Sequence, residues 1–508
     1  MAPSSGALPE VVIGVDLGTT GVRSLAVDPN GNLVASSSQS LPVPIARLPR
    51  GWNEQSAEDW WQAATSVLQD LLRSLPEGTA IRGVSVVSTS GTILPIDLSG
   101  HPLHAALMYN DNRSKGVVDE VRQAGSALET KLGYEFSSSF ALPKIVWLAR
   151  HRPRILARPH RMVHATDFIV GRLTGNFDVS DHSNALKTGY DLMDERWPEF
   201  IEQSLGIALT TLPRVVAPGS PIGQIGSPGS RATRLPVGVP VFAGATDGTA
   251  SQIASGAIRP GAWNASLGTT LVLKGISNEL IIDPLHRIYS HRHPEGFWMP
   301  GGASNTGGEW IKLGFPGEEP ASLDTLAGER IPTATLCYPL ARAGERFPFR
   351  CSNARGFMVG GGDDRVDRYA AGLEGVALLE RLAFETLTGL GVRIEQSVCA
   401  SGGGSQSPLW LRIRASSLKR PLTRTMIGET AMGAALLAAA GVWYTNLSEA
   451  AKAMVHERDV TEPSWTLVEA YEEKYGLFCL ELFTRGYIPR DVTTPTGQSG
   501  NGRAVCGL

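Results

Sequence analysis

The sequence predicts an α/β protein built from two domains. A chain of 508 residues is longer than one hydrophobic core usually supports, since such cores stop growing at roughly 250–300 residues. Apolar runs of strand length alternate with segments of helical periodicity along most of the chain. The tetrapeptide LGTT also occurs twice, at 17–20 and at 267–270. Because each copy stands between two apolar runs, we interpret the chain as a duplication of one α/β unit.

The first elements predicted are a three-stranded meander and a helix. In residues 11–38, two apolar runs flank the Gly/Thr turn, and the turn PNG (29–31) leads to a third run. A helix then begins after Ser56, which forms a predicted capping box with Asp59 three residues later. Residues 81–97 return to strand, turn and strand.

The second half of the chain repeats this order. Residues 261–277 are predicted as strand, turn and strand around the second LGTT. Helices are predicted at 365–390 and 428–441 from their apolar periodicity. Between them, residues 397–420 predict a strand, a glycine triplet and a helix whose N-cap is Ser407.

The predicted boundary between the two domains lies at residues 255–260. We therefore expect an N-terminal domain over 10–255 and a C-terminal domain over 256–490. The Pro/Gly-rich segment 212–230 is predicted as a surface loop. The polar, Gly-rich segment 491–508 is predicted as a disordered tail.

Composition and charge argue against several classes of partner. Hydrophobic residues make up 42% of the chain, charged residues 19%, and the formal net charge is −3, so nothing favours binding to nucleic acid or to an anionic membrane. The longest nearly apolar run, 431–444, is shorter than the roughly 20 residues that a membrane helix needs.

Because the net charge of the chain is negative, we interpret the basic stretch 149–161 as a solvated face. His291 and His293 are interpreted as a surface pair, because no third metal ligand is evident.

The five cysteines indicate reduced thiols. They are odd in number and form no CxxC pair, which is typical of an intracellular protein rather than of a disulfide framework. We expect a cytoplasmic protein, or a plastid one if the chain comes from a eukaryotic phototroph, that acts as a monomer or a homodimer.

The paired LGTT turns predict a binding site for a polyphosphate. Glycine lets the backbone turn tightly, so that successive N–H groups and Thr hydroxyls converge on one point and form an anion-binding concavity. The first turn offers Gly18, Thr19 and Thr20, and the second offers Gly268 and Thr269. A single turn of this kind is more often an ordinary hairpin. Two copies in similar contexts favour one ligand held from both sides.

Asp16 is a candidate metal ligand. It stands immediately before the first LGTT, where the second copy has Ser266. A carboxylate beside phosphate oxygens can hold Mg²⁺, directly or through water. The neutral serine in the second copy would place the metal off-centre, near Asp16.

Asp247 is the candidate general base. It follows an apolar strand in VFAGATDGTA (241–250), among small residues that let a substrate approach closely. A carboxylate at this position could accept the proton of a hydroxyl group. The alternative is an aspartate that merely caps a helix. The position of Asp247 shortly before the second phosphate turn favours catalysis.

Further polar and Gly-rich segments suggest a nucleotide and a polyhydroxylated ligand. The glycine triplet that precedes a helix at 402–404 favours phosphate contacts, although neither a dinucleotide fingerprint nor a P-loop is present. The polar stretches 88–92, 108–114 and 180–190 offer many short hydrogen-bonding groups. Asn305 is presented between glycines in GGASNTGGEW.

Taken in order, these motifs show that the chain resembles the FGGY carbohydrate kinases over residues 10–485. The segments that carry the resemblance are IGVDLGTTGVRSLAVD, GWNEQSAEDWW, FALPKIVWL, AGATDGTA, SLGTT, GGASNTGGEW, GERFPF, ASGGGSQSPLW and ETAMGAALLAAAG. The sequence departs from the first family signature at Ala141, where Pro, Ser or Thr is usual. It keeps only part of the second signature, near 371–375.

This resemblance implies two actin-like (ribonuclease-H-like) ATPase domains around a central cleft that holds ATP, Mg²⁺ and a sugar. It implies that Asp247 is the catalytic base and that Asp16 binds the metal. The ATP and phosphate contacts it implies are Gly18, Thr19, Thr20, Gly268, Thr269, Asn305, Gly402 and Gly403.

Within the family, the chain is similar to a plant and cyanobacterial branch that acts on D-ribulose. Xylulose kinases usually have Gln-Met-His-Gly where this chain has Thr-Ser-Gly-Thr at 89–92. By this resemblance, Asp16, Ser90 and Asp247 contact a ketopentose, most simply D-ribulose, which is converted to D-ribulose 5-phosphate.

Other functions remain open from the sequence. The same fold could act on D-xylulose, L-ribulose, erythrulose or glycerol. A chaperone-type ATPase of the same superfamily is disfavoured by the Trp-rich segment GWNEQSAEDWW and by the absence of a peptide-binding domain. A sugar-binding pseudokinase that acts as a sensor is disfavoured by the presence of Asp16 and Asp247.

Overall fold

The structure, a computed structural model, describes residues 9–42, 48–361 and 364–489. The segment 491–508, predicted as a disordered tail, lies outside the described residues, as does Cys506. The other four cysteines form no disulfide bond.

Strands and helices alternate along the described chain. In chain order, the strands are β1 (Glu10–Leu17), β2 (Gly21–Val27), β3 (Leu33–Ser40), β4 (Glu54–Gln55), β5 (Ala80–Ser88), β6 (Ile93–Asp97), β7 (Ala106–Leu107), β8 (His160–His164), β9 (Val179–Asp181), β10 (Arg214–Val216), β11 (Pro221–Gln224), β12 (Pro240–Phe242), β13 (Trp263–Leu267), β14 (Leu271–Gly275), β15 (Tyr289–Arg292), β16 (Trp298–Ala303), β17 (Leu336–Tyr338), β18 (Phe357–Val359), β19 (Val398–Ser401), β20 (Leu422–Thr425) and β21 (Glu457–Thr461). The α-helices are α1 (Ala57–Ser74), α2 (Val118–Leu132), α3 (Ala141–His151), α4 (Pro153–Leu156), α5 (Ala165–Thr174), α6 (His182–Ala185), α7 (Phe200–Gln203), α8 (Ser227–Thr233), α9 (Asp247–Ala254), α10 (Glu309–Gly314), α11 (Pro320–Ala327), α12 (Arg365–Gly389), α13 (Pro408–Leu418), α14 (Thr430–Val442), α15 (Leu447–Met454) and α16 (Trp465–Thr484). Short 3-10 helices cover Arg113–Val117, Leu186–Thr188, Leu209–Thr211 and Gly403–Gln406.

The chain divides by packing into two compact units. Among the described residues, unit 1 comprises 9–258, His291–Phe297 and Ile427–His456, and unit 2 comprises Arg259–Ser290, Trp298–Met426 and 457–489. The first transition falls within the boundary predicted at 255–260. The division nevertheless differs from a single cut there, because α14 and α15 belong to unit 1.

The composition of α14 explains its place in unit 1. Its sequence TAMGAALLAAAGV has no polar face, and Ala431–Ala439 are all buried. A helix that is apolar all round has to be covered on every side, and α14 packs against β1, β5 and α9. Periodicity predicts the existence of this helix, but it does not predict which sheet will cover it.

The main sheet of unit 1 positions the carboxyl ends of three parallel strands at one edge. Its order is β11-β12-β5-β1-β2-β3. Strands β12, β5 and β1 run parallel, and β1, β2 and β3 form an antiparallel meander, as predicted. The predicted N-cap of α1 is present, since the hydroxyl of Ser56 accepts a hydrogen bond from the backbone N–H of Asp59.

The main sheet of unit 2 repeats this arrangement. Its consecutive strands β21-β20-β19-β13-β14-β16 correspond in order to β11-β12-β5-β1-β2-β3. The orientations of neighbouring pairs also correspond, with β20, β19 and β13 parallel and the remaining pairs antiparallel. The two LGTT turns join the corresponding pairs β1–β2 and β13–β14. The predicted duplication is therefore confirmed at the level of the fold.

Two interpretations made from the sequence are wrong. Residues 212–230 are not a continuous surface loop, because they contain β10, which pairs with β9, and β11, which pairs with β12. His291 and His293 are not a surface pair, because only 4% and 1% of their surfaces are exposed. Burial lowers the pKa of His293 to about 4, so its imidazole is neutral at physiological pH. Short strands rich in Pro, Gly or His give no local signal of the packing that covers them.

No helix among the described residues combines the length and apolar character that crossing a bilayer requires.

Candidate active site

The carboxyl edge of the unit 1 sheet brings the two candidate catalytic acids together. Asp16 stands near the end of β1, in register with Val87 of the parallel neighbour β5. Beyond β12, Thr246 forms a parallel bridge with Ser88, the last residue of β5, and Asp247 follows. Because parallel strands end at the same edge, both carboxylates lie on one side of the sheet.

The environment of Asp16 is unusual for an aspartate. Its side chain is buried, and its Oδ1 atom makes no hydrogen bond to any described residue. Burial and then the charge of Asp247 raise the pKa of Asp16 to about 7. Arg23 opposes this effect, and Glu429 adds a contribution smaller than that of Arg23. An unpaired buried carboxylate oxygen is costly. A cation or a ligand hydroxyl would relieve that cost.

Asp247 is not the N-cap of its helix. The N-cap of α9 is Thr246, and Asp247 is the first helical residue. Its Oδ1 accepts a hydrogen bond from the backbone N–H of Gly248 at 2.7 Å, and its side chain is half-buried. Asp247 therefore does not occupy the N-cap position, although its carboxylate accepts a first-turn N–H, and it stands at the same sheet edge as Asp16.

Ser90 lies in the turn that follows β5, at the same edge. The hydroxyls of Thr89 and Thr92 at the two ends of this turn are 3.2 Å apart, and Ser90 between them is half-buried. Gly91 has a positive φ of 75°. A side chain at Gly91 would meet the carbonyl oxygen of Ser139 at 2.4 Å, so the turn packs closely on a second polar segment.

The first LGTT turn is held by contacts that fix its backbone. The N–H of Gly18 donates to the carbonyl of Gly21, and the carbonyl of Thr20 accepts from Leu41 N, both at 2.9 Å. The side-chain amide of Gln55 donates to the carbonyl of Thr19 at 2.8 Å. Sequence reasoning missed Gln55, which lies in the recognisable segment GWNEQ.

The second LGTT turn lines a cavity of about 840 Å³ in unit 2. Gly268 and Thr269 are exposed, and their carbonyls accept hydrogen bonds from Gly308 N and Glu309 N at 2.8 and 3.2 Å. The described residues that line this cavity are Gly268, Thr269, Gly308, Ile311, Lys312, Glu319, Pro320, Ala321, Asp324, Thr325, Tyr369, Gly403, Gly404, Gln406, Ser407, Pro408, Leu409 and Trp410. The turn and the glycine triplet, far apart in sequence, therefore face one ligand-sized space.

Two glycines of the triplet differ in whether the protein itself leaves room for a side chain. Gly402 has φ of +80°, and an added Cβ would lie 2.6 Å from the carbonyl oxygen of Leu267, so the fold requires glycine there. Gly403 has no such restriction, because an added Cβ would meet no atom within 4 Å. Gly403 lines the cavity, whereas Gly402 is not among the lining residues. A side chain at Gly403 would occupy open space that a ligand could use.

Asn305 has a supporting position rather than one in the cavity wall. Its side-chain amide donates to the carbonyl of Gly344 at 2.9 Å, and its backbone N–H donates to Glu345 Oε1 at 2.7 Å. The buried Glu345 carboxylate also accepts from the hydroxyls of Ser304, Thr306 and Tyr338. Sequence reasoning missed Glu345, although it lies in the quoted segment GERFPF.

The residues present fit a magnesium ion at Asp16. Within the described chain, no group of three or more His, Cys, Asp or Glu side chains is arranged to hold a metal by itself. Mg²⁺ usually keeps several waters and is bound by one or two carboxylates together with substrate phosphates. The unpaired Oδ1 of Asp16 offers such a carboxylate ligand.

Comparison with known proteins agrees with this architecture. Residues 11–254 match the N-terminal domain of the FGGY family of carbohydrate kinases, and residues 263–442 match its C-terminal domain. The chain therefore belongs to the FGGY family of carbohydrate kinases. It is a carbohydrate kinase that uses ATP, and the predicted family and actin-like two-domain fold are confirmed.

Individual relatives differ in the sugar for which they are named. A xylulose kinase of Staphylococcus epidermidis is 26% identical over 482 residues, covering 92% of this chain and 96% of the relative. An L-fuculokinase of Escherichia coli O157:H7 is 28% identical over 466 residues, covering 88% and 96%. The crystal structure of a xylulose kinase from Rhodospirillum rubrum superposes with a TM-score of 0.83 at 28% identity, covering 93% and 98%.

Proposed function

We propose that this carbohydrate kinase transfers the γ-phosphate of ATP to a ketopentose, D-ribulose, with Asp247 as general base. The observation that supports it most directly is the pair of acids at one sheet edge, of which Asp16 carries a buried oxygen that makes no hydrogen bond to the described residues. Such an acceptor suits a sugar hydroxyl or a Mg²⁺ ion, and Asp247 beside it is more accessible.

In the proposed reaction, the Asp247 carboxylate takes the proton of the sugar O5 hydroxyl as O5 attacks the γ-phosphorus. The bond from that phosphorus to the bridging oxygen breaks, and ADP leaves with the electron pair. Phosphoryl transfer depends on positioning and charge neutralisation. In unit 2, backbone N–H groups of the second LGTT turn and of Gly403 would contact phosphate oxygens, and in unit 1 the first LGTT turn offers a similar concavity beside Asp16, where a bound Mg²⁺ would neutralise part of the phosphate charge.

The glycine triplet provides a test of the nucleotide site. We expect Gly403→Ala to raise the KM for ATP about tenfold, because displacing a ligand by a methyl group costs on the order of 1–3 kcal/mol. The melting temperature should change little, since the added methyl group meets no protein atom. Steady-state kinetics and thermal melts measure the two effects.

Gly402→Ala is the matched control for that test. Its backbone conformation and its contact with Leu267 predict a clear loss of thermal stability. If Gly403→Ala binds ATP as well as the wild type does, the assignment of this cavity to the nucleotide is wrong.

The choice of D-ribulose depends on the turn at 89–92. In this turn Ser90 and Gly91 stand where xylulose kinases usually carry Met and His. Gly91 allows the turn to pack against Ser139 and the side chain of Lys187. Ser90 thus offers a hydroxyl at the sheet edge that carries Asp16, as the contact for a pentulose hydroxyl.

A panel of sugars separates the proposal from the alternatives that the relatives suggest. Wild-type enzyme should release ADP with the highest kcat/KM on D-ribulose, followed by D-xylulose, L-ribulose, erythrulose, L-fuculose and glycerol at lower values. Phosphorus NMR of the product should show phosphate on carbon 5. A higher kcat/KM on D-xylulose would replace D-ribulose as the assigned substrate.

The same panel tests a different class of function. A sugar-binding pseudokinase that acts as a sensor would bind a sugar tightly and release no ADP.

The cytoplasmic location and the monomeric or homodimeric state stay proposals that accompany the kinase.

A further inference from the structure

A buried polar chain runs from β9 to the residue that precedes Asp247. Asp181, at the end of β9, caps the short helix α6 by accepting hydrogen bonds from the backbone N–H groups of Ser183 and Asn184. The Ser183 hydroxyl lies 2.5 Å from Asp181 Oδ1 and 2.8 Å from the backbone nitrogen of Thr246. Ser183 is 0% exposed and Thr246 is 1% exposed, so solvent does not replace these bonds.

The direction of both bonds follows from the groups involved. A backbone N–H can only donate, so the Ser183 oxygen accepts from Thr246. A serine hydroxyl has a single proton, which is then directed to the Asp181 carboxylate. Asp181 Oδ2 accepts from the side-chain amide of Asn184 at 2.6 Å. The Ser183 hydroxyl is therefore held in one orientation from the Asp181 side.

The peptide group that joins Ala245 to Thr246 is fixed on its other side by β5. The carbonyl of Ala245 accepts a hydrogen bond from Ser88 N at 3.3 Å. One residue earlier, a Cβ at Gly244 would lie 1.6 Å from the carbonyl oxygen of Val86, so this segment lies directly against β5. Both polar groups of this one peptide are thus bonded to different elements, one residue before the proposed base.

We propose that Ser183, oriented by Asp181, is a positioning residue that holds the Ala245–Thr246 peptide and thereby the Asp247 carboxylate in the geometry needed for proton transfer. This inference rests on the proposed function, because it takes Asp247 as the general base. Ser183 itself touches neither substrate nor nucleotide in this role.

Replacement of Ser183 tests the positioning role. Ser183→Ala removes the acceptor of Thr246 N–H, and we expect kcat with D-ribulose to fall by about 10–100-fold, the scale of loss that a displacement of about 1 Å of a catalytic group produces. The KM for ATP should stay within about twofold, since nothing in the nucleotide cavity changes. Ser183→Thr keeps the hydroxyl and should recover most of the lost kcat.

Ser180→Ala is the matched control. Ser180 is also a buried serine, three residues before Ser183. Its hydroxyl lies 3.1 Å from Nδ1 of His164 rather than near Thr246. A loss of kcat in Ser183→Ala that is no larger than in Ser180→Ala would overturn the positioning role.

Amide hydrogen exchange supplies a measurement that needs no substrate. Peptides covering residues 243–250 should exchange faster in Ser183→Ala than in wild type or Ser180→Ala, and unchanged exchange would also overturn the inference. Asp247→Ala separates the two proposals. If Asp247→Ala retains turnover, the proposed function fails and the positioning role fails with it. If Asp247→Ala is inactive while Ser183→Ala behaves as Ser180→Ala does, only the positioning role fails.

Discussion

Asp247→Ala should lower kcat for sugar phosphorylation by about 10³-fold, within the range of 10²–10⁴ that general acid–base catalysis contributes. The variant lacks the carboxylate that accepts the hydroxyl proton, and Asp16, the other acid at this sheet edge, is buried and is assigned to the metal or the sugar. The helix itself should persist, because the backbone carbonyl of Thr246 still accepts hydrogen bonds from the N–H groups of Thr249 and Ala250. A coupled assay of ADP release measures the effect.

The loss should be confined to the chemical step. ATP binding is expected to stay intact, because the residues that line the nucleotide cavity, from Gly268 to Trp410, do not include Asp247. The KM for ATP should therefore remain within about threefold of the wild-type value. Isothermal titration with a non-hydrolysable ATP analogue checks this directly.

Asp59→Ala is a suitable control for Asp247→Ala. Asp59 is also a half-buried acid in the first turn of a unit 1 helix, so its removal repeats the loss of a helix-terminal charge without touching the candidate site. Wild-type kcat is expected for Asp59→Ala. Turnover of Asp247→Ala within tenfold of the wild type would contradict the role of Asp247 as base.

The sequence identifies the candidate site where a motif combines a special backbone with a reactive side chain. The LGTT motif predicts both hairpins. The first copy directly follows Asp16 and the second copy comes after Asp247, and these positions suggest metal binding and proton transfer beside bound phosphates. The order of strands in the two sheets makes these predictions consistent, since the turns join corresponding strands.

What the sequence does not predict are contacts between distant segments. The hydrogen bonds that Gln55 donates to Thr19 and that Thr246 donates to Ser183 join residues 36 and 63 positions apart, and no local periodicity encodes such pairs. Asn305 shows the same limit. Its glycine-bracketed turn predicts a ligand contact, but the motif does not encode the hydrogen bond that its amide donates to the carbonyl of Gly344.

Asp16→Asn should have effects of opposite sign on stability and on activity. The folded pKa of Asp16 is raised from 3.8 to about 7, so the folded protein holds this proton more tightly than the unfolded chain does. The folded state therefore loses stability as pH rises from about 4 to about 7, and the loss is complete above pH 7. A difference of about three pKa units corresponds to about 4 kcal/mol at 1.36 kcal/mol per unit.

Asparagine cannot ionise, so this pH-dependent loss should disappear in the variant. The free energy of unfolding of Asp16→Asn minus that of the wild type should therefore increase by about 2–3 kcal/mol from pH 5 to pH 8, which means that the variant gains stability relative to the wild type as the pH rises. Urea unfolding of protein free of nucleotide and divalent cation measures the change at each pH. At pH 8 the same variant should phosphorylate sugar at least about 100-fold more slowly, because it lacks the charged ligand for substrate and Mg²⁺.

Asp283→Asn provides a control of opposite electrostatic character. Asp283 is also buried, but its ion pair with Arg287, together with hydrogen bonds from the backbone N–H groups of Arg287 and Leu285, outweighs the effect of burial and lowers its pKa. Its carboxylate is ionised in both the folded and the unfolded protein from pH 5 to pH 8, so Asp283→Asn should destabilise the protein by the same amount at both pH values. If the stability difference between Asp16→Asn and the wild type is also the same at pH 5 and pH 8, then Asp16 is ionised throughout this range. Its pKa would then not be raised in the folded protein, and the prediction would be contradicted. A slope present in Asp16→Asn and absent in Asp283→Asn would show that the protein gives up stability at neutral pH to keep a charged carboxylate ready for its ligands.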